Sequence, residues 1–135
     1  MLIKSKKVWS SGQFLPLIVE VEDKKITAVY DYDAFDKVDY DFGSNRILPG
    51  FIDVHTHGAY GYDTNDVNEE GLRNWTKNIV SEGVTSFLPT TITQTEEVLL
   101  KAVANVAKVY EEGYEGAEIL GIHFEGPYLD VEKRG

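Results

Sequence analysis

The chain has 135 residues, 42% hydrophobic and 27% charged, with a formal net charge of -10 and no cysteine. This suits one soluble domain or a piece of a larger protein. It argues against nucleic-acid binding, which runs on counterion release at Lys and Arg, and it removes disulfides, thiolate ligands and thiol nucleophiles from consideration. The N-terminus Met1-Leu2-Ile3-Lys4-Ser5-Lys6-Lys7 lacks the apolar stretch of a signal peptide. No apolar run approaches the roughly 18 residues needed to span a bilayer, so no membrane partner and a cytoplasmic location are expected.

Residues 1–47 are β-rich. Phe14 to Val21 is a strand with Pro16 near its start, Glu22-Asp23-Lys24-Lys25 a turn, and Ile26 to Tyr30 a returning strand. Val38, Tyr40 and Phe42 alternate with Asp39 and Asp41, the pattern of a half-buried strand. The carboxylates at Asp31, Asp33, Asp36, Asp39 and Asp41 are a solvated face, because a calcium loop needs tighter spacing and a bidentate glutamate. Short antiparallel strands of this kind predict half of a small sandwich.

After Pro49 strands alternate with helices. Phe51 to His57 forms the first strand, so His55 and His57 project from one face about 7 Å apart and can lean toward one cation. They could also serve only as polar caps of a strand edge. Gly58 ends the strand where a side chain would obstruct such a site. A Gly- and Asp-rich loop leads to a helix over Glu69–Ser81, capped by Asn68, with Leu72, Trp75 and Ile79 on one face. Val84 to Thr91 is the second strand. Thr93 stands three residues before Glu96, the capping-box spacing, and Leu99, Ala102, Val103, Val106 and Tyr110 form the stripe of the next helix, which stops at Gly113. Ile119 to Glu125 is the third strand. The order predicts a parallel, right-handed βαβαβ arrangement, an α/β fold.

Glu125 closes an otherwise apolar strand, where a carboxylate is costly unless it is paired, hydrogen-bonded or bound to metal. Ligands in α/β sheets and barrels sit beyond the C-terminal ends of the strands, and His55, His57 and Glu125 all fall there. Two imidazoles and a carboxylate on one rim suit a hydrolytic divalent-metal site of zinc, iron, manganese or cobalt. His123 shares the strand face of Glu125 and could be a further ligand, but a place behind the ligands or in the core is expected. Thr90, Thr91 and Thr93, and Tyr60, Tyr62 and Tyr128, could touch a ligand, but capping and packing account for them. No phosphate loop, dinucleotide fingerprint or nucleophile elbow is present.

Three stretches carry a resemblance: Leu48-Pro-Gly-Phe-Ile-Asp-Val-His-Thr-His-Gly58, Gly83-Val-Thr-Ser-Phe-Leu-Pro-Thr-Thr91 and Gly121-Ile-His-Phe-Glu-Gly-Pro-Tyr128. Together they resemble the N-acetylglucosamine-6-phosphate deacetylase family of the amidohydrolase superfamily. The first is shared across the superfamily; the other two are more specific to the deacetylases. The resemblance implies a small β-sandwich, with residues 1–47 as part of it, and a metal-dependent (β/α)8 barrel, with residues 48–135 supplying its first three β/α units. It implies hydrolysis of the acetamide of N-acetylglucosamine 6-phosphate to glucosamine 6-phosphate and acetate, by a homodimer holding one or two metal ions. His55, His57 and Glu125 match metal ligands of that family. Two further histidine ligands, the acid–base aspartate and the phosphate-binding groups would follow later in sequence. A complete barrel takes roughly 250 residues, so the chain is expected to be an N-terminal portion, inactive alone. The alternatives are another amidohydrolase acting on a cyclic amide or amine, and a non-catalytic fragment that self-associates through exposed strand edges.

Overall fold

The computed structural model describes residues 1–133; Arg134 and Gly135, the end of the expected barrel portion, lie outside the described residues. The chain divides into two compact units, Met1–Pro49 and Gly50–Gly135.

In the first unit, β1 (Leu2–Ser10), β2 (Gln13–Glu22) and β3 (Lys25–Asp31) form an antiparallel meander. Two short strands, β4 (Tyr40–Asp41) and β5 (Arg46–Ile47), pair parallel to β1. The hairpins turn at Ser11-Gly12 and Asp23-Lys24, all four residues with positive φ. Tight turns of that hand match the right-handed twist of the strands they join. Pro16 has no N–H to give, and it lies opposite the register shift between Ser5 and Val8 of β1, where regular ladder bonds lapse. Val8, Ile18 and Val19 are buried, as is Ser5, whose hydroxyl donates to the Asn45 carbonyl at 2.5 Å. The expected half-buried strand around Val38–Phe42 shrinks to two residues. Tyr40 and Phe42 are exposed and stack on one another with centroids 6.3 Å apart. Alternation marks a strand's two faces, but burying one takes a covering layer, and this unit holds a single sheet among the described residues.

The second unit begins with β6 (Phe51–Thr56) and a miniature hairpin of β7 (Gly58–Ala59) and β8 (Tyr62–Asp63) inside the expected loop. There follow α1 (Glu69–Ile79), β9 (Val84–Thr91), α2 (Glu96–Glu112), β10 (Glu118–Ile119) and β11 (His123–Phe124). β6, β10 and β11 each pair with β9 in parallel. The strand expected over Ile119–Glu125 is therefore interrupted. Gly121, at φ +151, lets the chain break step, while Leu120 N still donates to Phe87 O.

Asn68 caps α1, accepting from Gly71 N at 2.9 Å, and Gly83 in the left-handed region ends the turn Val80–Glu82 that follows. The N-cap of α2 is Thr95, which accepts from Val98 N, and not Thr93. The apolar face of α2 is also rotated from the expected stripe. Asn105 and Val109 are buried, while Tyr110 is exposed. Asn105 is buried because its amide donates to Tyr62 OH, which satisfies a polar group that a stripe count assigns to solvent. Leu72, Trp75 and Ile79 of α1 pack with Phe87 of β9 and Val106 and Val109 of α2; the Trp75 and Phe87 rings lie 4.7 Å apart. The loop after α2 passes against α1 at Gly116, where a Cβ would stand 2.0 Å from the Thr76 carbonyl oxygen.

Candidate metal centre

Because β6 and β11 run parallel to β9 on its two sides, their C-terminal ends share one rim. His55 is the last but one residue of β6, His57 follows the strand directly, and Glu125 follows β11 directly. Past the register shift between Asp53 and Thr56 the two imidazoles come together, their rings 5.0 Å apart and nearly perpendicular.

Three donor atoms converge. His55 Nε2 and His57 Nε2 are 3.3 Å apart, and each is 3.1 Å from Glu125 Oε2. Ligands held about 2.0–2.1 Å from a tetrahedral ion stand about 3.3 Å from one another, so this triangle has the size of one face of a coordination shell. The hydrogen bonding behind it points the same way. His57 Nδ1 lies 3.2 Å from the Thr90 carbonyl oxygen and donates to it, which leaves the lone pair of a neutral ring on Nε2. That nitrogen faces the Glu125 carboxylate at 3.1 Å, an approach that a cation between them makes favourable. The three side chains are 46%, 36% and 36% exposed, so an ion reaches them from solvent.

His123 stands behind this triangle. Its Nδ1 donates to the Val54 carbonyl at 2.8 Å, and its ring meets that of His55 edge-on at 4.8 Å. Among the described residues the candidate metal cluster is His55, His57 and Glu125 alone. The other residues weighed from the sequence fall elsewhere. Tyr62 is in the core, and burial pushes its phenol up to about 12. Tyr60 donates to Glu82, and Tyr128 is 99% exposed. At Gly58 a Cβ would meet the Tyr62 carbonyl oxygen at 1.9 Å, so its lack of a side chain serves the β7–β8 hairpin. Thr90 and Thr91 matter more than helix capping would make them, since both are buried at the end of β9 between the histidines and Glu125.

The sequence profile described as the Amidohydrolase family matches residues 46–133, a span that includes all three converging side chains. The chain belongs to the amidohydrolase family. The chain is 36% identical over 115 residues to the N-acetylglucosamine-6-phosphate deacetylase of Vibrio furnissii, covering 84% of the chain and 29% of that protein. To the deacetylase of the same name from Lysinibacillus sphaericus it is 35% identical over 127 residues, 93% of the chain and 33% of the relative. A crystal structure of N-acetyl-D-glucosamine-6-phosphate deacetylase from Mycobacterium smegmatis superposes with a TM-score of 0.86 at 26% identity, over 100% of this chain and 38% of that one. The chain thus spans about a third of the length of the relatives it matches.

Proposed function

We propose that this amidohydrolase chain supplies the first part of the active site of a metal-dependent carbohydrate deacetylase. Its substrate would be N-acetylglucosamine 6-phosphate, hydrolysed at the acetamide to glucosamine 6-phosphate and acetate. The observation that carries the reading is the convergence of His55 Nε2, His57 Nε2 and Glu125 Oε2 on one point at the strand ends. The deacetylase relatives favour the amino sugar phosphate over the cyclic amides and amines that the wider family would also allow.

The donor set fits zinc, iron, manganese or cobalt, with one or two ions in the complete site. A divalent ion there would polarise the amide carbonyl and make water acidic enough to act as a nucleophile near neutral pH. The chain's own residues prepare for that. His57 is oriented with Nε2 toward the site by its Nδ1 bond to Thr90, and Glu125 brings a negative charge that favours a cation there. An acid–base carboxylate would take the proton of the attacking water and return it to the leaving amine, and no residue of this chain is assigned that part.

The barrel reading rests on the apolar surface that flanks the parallel strands. Phe51, Ile52 and Val54 of β6 are exposed on one side. On the other, Val103, Tyr110, Leu120, Ile122 and Phe124 line an open groove of about 500 Å³. Further β/α units of a (β/α)8 barrel would cover both.

A chimera tests the function: residues 1–133 replace the matching segment of the Lysinibacillus sphaericus relative, and acetate release is followed with the chain alone as control. Metal-dependent release from N-acetylglucosamine 6-phosphate by the chimera, and none by the chain alone, is expected. A metal-loaded chimera that ignores this substrate but opens cyclic amides would contradict the reading, as would turnover by the chain alone.

A further inference from the structure

We propose that Thr90 is a positioning residue for the metal ligands, holding the peptide between the two histidines with its hydroxyl and the His57 ring with its carbonyl. The inference rests on the metal reading of His55, His57 and Glu125.

The pairing of β6 with β9 shifts register between Phe51 and Ile52 and again between Asp53 and Thr56, where Thr56 comes to lie opposite Pro89. At a register shift the regular backbone ladder lapses, and the Thr56 N–H needs an acceptor from elsewhere. The Thr90 side chain takes over. Its Oγ1 accepts from Thr56 N at 3.0 Å and donates its own proton to the Leu88 carbonyl at 3.0 Å. Thr56 is the single residue between His55 and His57, so whatever holds its amide sets the direction of both imidazoles. The Thr90 carbonyl then accepts from His57 Nδ1, and the next carbonyl, that of Thr91, accepts from Glu125 N at 3.2 Å. Two successive residues at the end of β9 thereby tie down the histidine side and the carboxylate side of the triangle.

Thr90 is fully buried, and so is Thr76, whose hydroxyl donates to Arg73 O within α1, away from the rim. A threonine serving stability alone would behave as Thr76 does. Valine keeps the shape of threonine but neither donates nor accepts, so Thr90→Val leaves the Thr56 N–H unpaired and the strand end free to shift. Losing a partner behind a metal ligand typically costs about 10–100-fold in metal affinity.

The test is cobalt(II) titration of the 135-residue protein, read by the visible absorption of the bound ion, with circular dichroism to follow the fold. Thr90→Val should weaken binding about tenfold or more and alter the spectrum. Thr90→Ser should restore both, and Thr76→Val should change neither. Cobalt binding by Thr90→Val equal to that of the unsubstituted protein would overturn the inference while leaving the metal reading intact. Absence of binding by the unsubstituted protein would overturn both. Should Thr90→Val not fold, hydrogen exchange of the Thr56 amide in the unsubstituted protein decides. Protection supports the inference, and exchange at the rate of an open strand end overturns it.

Discussion

At the scale of single residues, the candidate site is built from ordinary groups in unusual proximity. Two imidazole nitrogens and one carboxylate oxygen meet within 3.3 Å of each other without any covalent constraint on their approach. The histidines were legible in the sequence as a pair one residue apart at the end of an apolar strand, although β6 shifts register against β9 between Asp53 and Thr56, which no period shows. Glu125 was legible because a charge at the end of an apolar strand needs a partner. The bond from His57 to Thr90 was not, since its acceptor is a backbone carbonyl that carries no residue-type signal. Gly58 was legible as a constraint, but its close approach to Tyr62 was not. The tight approach is to the Tyr62 carbonyl, so Gly58→Ala should lower stability by about 1–3 kcal/mol in urea unfolding through overpacking. Unchanged stability with abolished metal binding would instead favour a glycine that clears the metal site.

Elements followed the sequence where one periodicity governed them and departed where two groups competed for a role. The stretch Thr93–Glu96 has capping-box spacing, yet Thr95 caps α2, and Thr93 packs beside Gly126, where a Cβ would come within 2.2 Å of its hydroxyl. Which threonine caps is decided by the loop that crosses over it, which no local window contains. Thr95→Ala should therefore cost about 1 kcal/mol of stability, and Thr93→Ala should not remove the cap; equal losses from both would contradict the assignment. The third strand shows the same limit. An apolar run with one glycine is compatible with a continuous strand, and only the positive φ of Gly121 reveals that it breaks into β10 and β11. Both halves still pair with β9, which is why Glu125 reaches the rim as the unbroken strand would have brought it.

For the molecule as a whole, the core of the second unit is a helix-covered strand sealed by Tyr62 and Asn105. Burial raises the Tyr62 pKa from its ordinary 10.0 to about 12. The folded state thus favours the neutral phenol over the phenolate more than the unfolded chain does. Its contribution is fully present below pH 10 and is lost as pH rises from about 10 to 12. Urea unfolding at pH 9 and pH 11.5 should show that loss, and Tyr62→Phe should reduce it; an identical alkaline loss in the variant would exclude Tyr62 as its source. No helix of the described residues is long and apolar enough to cross a membrane. The alternation of strands and helices was legible because it is written in hydrophobic period. Exposure of the apolar residues of β6, Tyr40 and Phe42 was not, because burial depends on layers that a strand pattern does not specify.

The central claim is that His55, His57 and Glu125 together hold a divalent metal. Equilibrium dialysis against zinc, followed by elemental analysis, tests it on the unsubstituted protein beside His55→Ala, His57→Ala and Glu125→Gln. The account predicts about one retained ion per chain in the unsubstituted protein and its loss in each variant, with circular dichroism unchanged. No retained zinc, or zinc retained equally by all four proteins, would contradict it.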